Sequence, residues 1–293
     1  MSKILVVGSM AVDLTVEATR MPKQGETIKG HSIETFCGGK GANQAVAIAR
    51  LGGQVDLLGC VGKDAYGQTI LANLENNLVG THLIGIDEQR SSGTAHIFLV
   101  DNDNRIIVVA GANESVTPQF VHEQLGNQWL NYDLVVLQNE IPHETIDYVM
   151  DCCQQAQVPV LYNPAPTDLK ANQLMDKLTF LTPNETECRE LFPELSLEEA
   201  AKKYPNKLII TLGANGVMFH DGNEIRLVPA EKVVPVDTTG AGDTFNGAFA
   251  LAIVQGKSID EAIQFGNKSA ALSVTKKGAQ EGMPRLGEII TIK

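Results

Sequence analysis

The sequence predicts an α/β protein: a mostly parallel central sheet covered by helices on both faces, with a small extra β-sheet as a lid. Three observations predict it. Short continuous apolar runs bounded by Gly, Asn or Asp recur along the chain, as strands buried on both faces require. Between most of them, apolar residues fall three and four apart, the period of amphipathic helices. Two segments, at about 12–36 and 93–110, break this alternation. With no Pro/Ser-rich linker, internal repeat or low-complexity stretch, the expectation is a single domain over residues 1–293.

Composition narrows the function classes. The chain is 43% hydrophobic, 5% aromatic and 20% charged, ordinary for a soluble globular enzyme. Its net charge of -12 repels nucleic acid and anionic membranes, which favours a small-molecule ligand. An anionic ligand would need backbone amides, a local lysine or a divalent cation to offset that field. The five cysteines are odd in number and lack CxxC spacing, so neither a disulfide framework nor a zinc site is expected. No signal-peptide h-region and no apolar stretch long enough to span a bilayer is present, and the expected location is the cytoplasm.

The first strand is expected over Ile4–Val7, followed by Gly8-Ser9-Met10-Ala11-Val12-Asp13-Leu14. A turn-forming Gly-Ser needs no acid beyond it, so Asp13 either caps something local or holds a ligand. Thr15–Phe36 lacks helical period, and Pro22, Gly25 and Gly30 mark turns between extended pieces. Cys37-Gly38-Gly39-Lys40-Gly41-Ala42-Asn43 opens a helix over Ala42–Leu51. It is not a P-loop, because Gly41 stands where Ser or Thr should follow the lysine. Its glycines allow close approach to something small, with Lys40 and Asn43 as directed donors; the alternative is a simple turn with a solvent-facing lysine.

A strand over Val55–Gly59 and a helix over Gly67–Leu78 follow. His96–Val100 and Arg105–Val109 form a hairpin about an Asx-rich turn at Asp101–Asn104, giving a small antiparallel layer whose apolar faces suit pairing with a second chain. Further strands fall at Leu134–Leu137, Val158–Tyr162, Leu178–Leu181 and Leu208–Leu212, with helices at His143–Ala156 and Gly242–Val254. Gln138-Asn139-Glu140 and Thr211-Leu212-Gly213-Ala214-Asn215-Gly216 sit at strand ends, where ligands gather in open parallel sheets. Thr182-Pro183-Asn184-Glu185-Thr186-Glu187 sets Asn184 and Glu187 on one face of a helical turn; this is also an ordinary helix start.

Asp237-Thr238-Thr239-Gly240-Ala241-Gly242-Asp243-Thr244-Phe245 is the strongest stretch. Gly-Ala-Gly at a helix start leaves N–H groups converging on one spot, an anion site. A carboxylate there would repel a bound phosphate, yet makes sense as a base taking a proton from a hydroxyl about to meet it. The alternative is an N-cap aspartate.

With GGKGAN, NETE and DTTGAGDTFNGA in this order, the sequence resembles the ribokinase branch of the PfkB sugar-kinase family. The resemblance runs over nearly the whole chain. It includes Gln24-Gly25-Glu26-Thr27, Asn163-Pro164-Ala165-Pro166, Thr211-Leu212-Gly213 and Lys277-Gly278-Ala279-Gln280. It implies a three-layer α/β/α sandwich with a β lid that dimerises, and ATP- and magnesium-dependent phosphorylation of the terminal hydroxyl of a pentose, foremost D-ribose. By motif position, Asp243 is similar to the family's base and Gly240, Ala241 and Gly242 to its anion hole. Asn184, Glu187, Thr211, Gly213, Gly216, Gly242 and Asn267 match nucleotide-side positions, Glu187 also being linked to magnesium. Ala11, Asp13, Gly39, Lys40, Gly41, Asn43 and Glu140 match sugar-side positions. A potassium loop would comprise Asp237, Thr239, Ser273, Lys276, Gly278 and Gly282.

One departure bears on the substrate. Ribokinases usually have Asn-x-Asp where this chain has Ala11-Val12-Asp13. A buried asparagine that needs a hydroxyl penalises a deoxy sugar, whereas an alanine does not. The alternative this departure raises is a 2-deoxyribose kinase; independent of it, the other readings are another PfkB sugar kinase such as a fructokinase, or a non-catalytic sugar- or nucleotide-binding regulator.

Overall fold

The computed structural model describes residues 2–100 and 103–290. Thirteen strands and ten α-helices are found among them. The central sheet holds β1 (Lys3–Val7), β4 (Gln54–Gly62), β5 (Gly80–Asp87), β8 (Leu134–Leu137), β9 (Val160–Tyr162) and β10 (Phe180–Leu181), in the order β10-β9-β8-β1-β4-β5. Every pairing in it is parallel. Parallel bridges Leu181–Leu208 and Asn184–Thr211 extend it to β11 (Ile210–Thr211). That strand starts an antiparallel meander with β12 (Val217–His220) and β13 (Ile225–Val228).

The pleat explains the layers. Ile4 and Val6 of β1 face one apolar cluster, Leu5 and Val7 the other; in β8, Leu134 and Val136 go with the first, Val135 and Leu137 with the second. The first cluster is closed by α1 (Lys40–Arg50), α2 (Ala65–Asn76), α7 (Ala241–Val254) and α8 (Ile259–Ser273). The second is closed by α3 (Pro118–Leu125), α4 (His143–Ala156), α5 (Glu185–Leu191) and α6 (Leu197–Lys203). Short helices α9 (Ala279–Gly282) and α10 (Leu286–Ile290) end the described chain. This is the three-layer α/β/α arrangement.

The lid sheet has the order β3-β2-β6-β7, from β2 (Ala11–Glu17), β3 (Ser32–Gly38), β6 (Gly93–Val100) and β7 (Asp103–Val109). It differs from the antiparallel layer expected. The pairs β2–β3 and β6–β7 are antiparallel, but β2 and β6 run parallel because both leave the same edge of the central sheet. Asp103 and Asn104, expected in the Asx turn, already pair in β7, while Asp101 and Asn102 lie outside the described residues. Strands β5, β12 and β13 were not expected: each is short or interrupted by polar residues.

Candidate active site

Functional side chains collect at the carboxyl edge of the central sheet, beneath the lid. The glycine loop between β3 and α1 reaches it because its backbone lies flat on its neighbours. Gly39 has a φ of 86°, and a Cβ there would sit 2.7 Å from Met10 Cα. A Cβ on Gly41 would sit 2.6 Å from the Gly8 carbonyl carbon, so both positions require glycine. The loop is tied to the end of β8: Glu140 Oε2 accepts from the Lys40 N–H at 2.9 Å and from Ser9 Oγ at 2.5 Å. Asp13 projects from β2 over the same loop, where a Cβ on Gly38 would come within 2.6 Å of Asp13 Oδ2.

Helix α7 starts at Gly240, left-handed at φ 76°, with no side-chain cap. The Ala241 N–H is taken by the Thr238 carbonyl at 3.2 Å, so the open amides are those of the next two residues. Nothing lies within 4 Å of a Cβ placed on Gly242, and the positive end of a 14-residue helix therefore faces open space. Asp243 is 6% exposed and does not cap the helix. Its Oδ2 accepts from Asn43 Nδ2 at 2.8 Å and its Oδ1 from Gln44 Nε2 at 3.0 Å.

A cavity of about 140 Å³ joins Lys40 of the glycine loop to the start of α7, lined by Lys40, Thr182, Asn184, Glu187, Gly242 and Asp243 with Asn163, Ala165, Thr211, Gly240 and Asn246; Asp13, Gly39, Asn43 and Glu140 lie outside its lining. A larger open cleft of about 540 Å³ between Asn139, His143 and Pro166–Leu169 includes Asn139 and Pro166 of the singled-out stretches but none of the residues expected to bind sugar, nucleotide or cation. We take the smaller cavity as the site, because there a carboxylate, an ammonium and a helix N-terminus meet.

The electrostatics follow from burial beside like charges. Burial, with Glu140, Asp243 and Glu281 nearby, pushes the Asp13 carboxyl up to about 6, against the pull of Lys40. Burial also raises Asp243, while Lys40 and the amides of Asn43 and Gln44 hold it down. Burial alone would lower the Lys40 ammonium, but Asp243, Glu140, Glu187 and Asp13 outweigh it, so the lysine stays charged. Glu187 is raised by burial and held back by the Asn184 N–H and Lys40.

Other expected residues lie around this centre. Asn184 and Glu187 form a capping box at the start of α5, each side chain bonded to the other's backbone N–H at 2.8 Å, so the helix-start reading holds for both; both also line the cavity. Gly213 and Gly216, with φ of 55° and 96°, bracket the turn after β11. Asn267 is not in the cavity lining; its amide donates to the Val228 and Pro229 carbonyls at 3.2 and 3.1 Å. Asp237 accepts from the Thr239 and Gly278 N–H groups, both at 2.9 Å, and is held below its ordinary value by those bonds and Lys277 against the effect of burial. A Cβ on Gly282 would collide with the Ser273 carbonyl and lie 3.6 Å from that of Lys276. The Ser273 and Lys276 carbonyls thus both lie against Gly282, where α9 packs on the end of α8. The Lys276 side chain points away, to Glu288 at 2.8 Å. Among the described residues no cluster of three or more His, Cys, Asp or Glu is arranged to hold a metal.

Asn163, Thr182 and Gln280 stand within stretches singled out from the sequence, but no role was expected of them, nor of Gln44 and Asn246. The available signal was that α1 is buried from Gly41 through Ile48 and α7 from Asp243 through Ala252. Polar residues in helices with no wet face need partners, and these residues supply them.

The pfkB family carbohydrate kinase model matches residues 1–286, and the chain belongs to that family of ATP-dependent sugar kinases. Within it, the chain is 48% identical to the ribokinase of Lactococcus lactis subsp. lactis over 99% of its length and 96% of that protein. It is 49% identical to the Bacillus subtilis ribokinase over 99% of its length and 98% of that protein. A Salmonella typhimurium deoxyribokinase is 35% identical over 97% of this chain and 96% of that one. The structure of Thermotoga maritima ribokinase superposes with a TM-score of 0.89 at 36% identity, covering 99% of this chain and 98% of that one. Arabidopsis thaliana ribokinase complexed with ribose and ATP gives 0.88 at 33% identity, again over 99% and 98%.

Proposed function

We propose that the protein transfers the γ-phosphoryl group of ATP to the 5-hydroxyl of D-ribose, giving D-ribose 5-phosphate and ADP. The observation that carries the reading is Asp243, a buried carboxylate held by two amides at the open N-terminus of α7. Identity of 48% and 49% to the Lactococcus lactis and Bacillus subtilis ribokinases, against 35% to the deoxyribokinase, favours ribose.

In this mechanism Asp13, Asn43 and Glu140 hold sugar hydroxyls over the loop of Gly39, Lys40 and Gly41, beside Ala11. Asp243 takes the proton of the 5-hydroxyl as that oxygen bonds to the γ-phosphorus and the bond to the β-phosphate oxygen breaks. In the turn of Gly240, Ala241 and Gly242 that opens α7, the open amides of Gly242 and Asp243, with the Lys40 ammonium, receive charge on the phosphoryl oxygens. Asn184, Thr211, Gly213, Gly216 and Asn267 shape the nucleotide side. The family's use of ATP implies a divalent ion with the nucleotide, which we assign as Mg2+; it supplies positive charge to the phosphates, and Glu187 is the lining carboxylate suited to its shell. For K+, Asp237 and Thr239 with the carbonyls of Ser273, Lys276, Gly278 and Gly282 are the fitting donors.

The lid strands spring from the same loops that build the sugar side, which supports one domain over residues 1–293. Exposed Ile106, Ile107, Val108 and Val109 on edge strand β7 support a homodimer formed through the lid. Five free cysteines, and no helix among the described residues long and apolar enough to cross a membrane, fit a cytoplasmic location.

The deciding experiment is ADP release with ribose, 2-deoxyribose, fructose and a nucleoside, the product identified by phosphorus NMR. Ribose-dependent turnover yielding the 5-phosphate supports the reading. No turnover with any of them would favour a binding regulator, and preference for 2-deoxyribose would favour the reading suggested by Ala11.

A further inference from the structure

Two chains of side-chain amides end on the Asp243 carboxylate. Along one, Arg50 Nε donates to Asn77 Oδ1 at 2.7 Å, Asn77 Nδ2 to Asn73 Oδ1 at 3.3 Å, and Asn73 Nδ2 to Gln280 Oε1 at 2.6 Å. Gln280 Nε2 then donates to Asn43 Oδ1 at 2.9 Å, and Asn43 Nδ2 to Asp243 at 2.8 Å. Along the other, Asn163 Nδ2 donates to the Thr182 carbonyl at 3.1 Å, so Asn163 Oδ1 accepts from Gln44 Nε2 at 3.1 Å. The same Gln44 nitrogen donates to Asp243 at 3.0 Å, and Gln138 Nε2 donates to Gln44 Oε1 at 2.7 Å.

The direction of each chain is fixed at its far end. A guanidinium can only donate and a carbonyl can only accept, so no amide can turn over without breaking a bond on each side. Asn43, Gln44, Asn77, Asn163 and Gln280 are all buried, where such chains polarise one another and a broken link is costly. Hydroxyls or waters in these places could reverse and release the carboxylate; the amides cannot.

We propose that Gln44 and Gln280 are positioning residues that hold the Asp243 carboxylate in one orientation and in its ionised form. This rests on the reading of Asp243 as the base. The other charged groups facing Asp243 are Lys40 from α1, Glu140 from the end of β8, Asp13 from the lid and Glu187 from α5, and the substitutions below leave all four in place.

The test is the pH profile of kcat for Gln44→Met and Gln280→Met. Each should lose about 10- to 100-fold in kcat and move the acid limb up by about one pH unit, with KM for ATP within about threefold. Asn73→Leu, at a half-exposed link away from the cavity, should act in the same direction and more weakly; it decides the matter if the buried variants do not fold. Folded variants whose kcat and acid limb match the parent protein overturn the proposal, as does a higher KM with an unmoved kcat. Asp243→Ala is the control: if it keeps turnover, the base reading itself fails, whereas its inactivity beside unaffected glutamine variants defeats only the amide chains.

Discussion

Asn43 Nδ2 meets Asp243 Oδ2 at 2.8 Å across 200 residues of chain. The contact exists because α1 and α7 lie side by side. One turn beyond the 43–243 contact, a Cβ on Gly247 would fall 2.7 Å from Ala47 Cβ and 2.9 Å from the Gln44 carbonyl. Gly247→Ala should therefore push the helices apart, costing about 1–3 kcal/mol of stability. Turnover should fall more than the unfolded fraction explains, because the carboxylate moves off its amides. Thermal unfolding and kcat on the same sample check this; unchanged values for both would mean the helix contact is looser than the geometry indicates.

Asp243→Asn should lower kcat by roughly 10²- to 10⁴-fold, the usual contribution of a positioned general base. The fold should lose about 1–3 kcal/mol, because an asparagine offers one acceptor oxygen to the two donor amides of Asn43 and Gln44, while the burial that opposes the charge no longer acts. Loss of turnover far beyond what this modest drop in thermal midpoint explains is the expected pair of results. Near-normal turnover would remove Asp243 from the chemistry.

The pH dependence of sugar binding follows from Asp13, whose carboxyl rises from 3.8 to about 6. Below about 6 it is protonated and accepts hydroxyl bonds poorly, so kcat/KM for the sugar should climb between about pH 5 and 7 and then level off. Stability runs the other way. A folded value above the unfolded one favours folding below about 4, and that contribution is lost as pH rises through 6. Asp13→Asn should abolish the limb in sugar KM while leaving the limb in kcat that belongs to Asp243. A limb that survives in KM points to another group.

Legibility in the sequence divides along physical lines. Strand β8 and helix α4 match their sequence expectations because an uninterrupted apolar run and a regular three- and four-residue spacing each admit one reading. The motif residues were legible because glycine loops and a lone acid at a helix start have few uses. The amides supporting Asp243 were not: Gln44, Asn163 and Gln280 come from three distant segments, and only packing brings them together. The parallel pairing of β2 with β6 was hidden for the same reason, since local pattern sets which face is apolar, not which strand lies alongside.

The end of α2 illustrates a local rule overridden, and it yields a stability prediction. Leu78 lies in the left-handed region at φ 62° and is 82% exposed. The Leu78 N–H bonds the Glu75 carbonyl at 2.9 Å and the Val79 N–H that of Leu74 at 3.0 Å, a Schellman turn with leucine where glycine is favoured. The helix thus stops at Asn76 although the apolar spacing runs to Leu78. Leu78→Gly should stabilise the fold by about 1 kcal/mol with unchanged kcat. A lower thermal midpoint would mean that the exposed leucine is packing in solution.

Substrate choice is the last prediction, and it turns on Ala11. This residue starts β2, pairs with Gly38 of β3 and Gly93 of β6, and lies two positions before Asp13. Glycines on both sides leave the methyl as the only side chain in that row. Ala11 offers no amide to a sugar hydroxyl, so a ribose kinase built this way should discriminate weakly against 2-deoxyribose. Ala11→Asn would restore a donor and acceptor at a place where only the hydroxylated sugar can satisfy them. One neutral hydrogen bond contributes about 0.5–1.5 kcal/mol, so the ratio of kcat/KM for ribose over 2-deoxyribose should rise by about 2- to 12-fold. Most of that change should come from poorer use of the deoxy sugar, whose missing hydroxyl would leave the new amide unpaired. Measured beside the parent protein at pH 7.5 or above, where Asp13 is ionised, an unchanged ratio would show that Ala11 does not face the sugar.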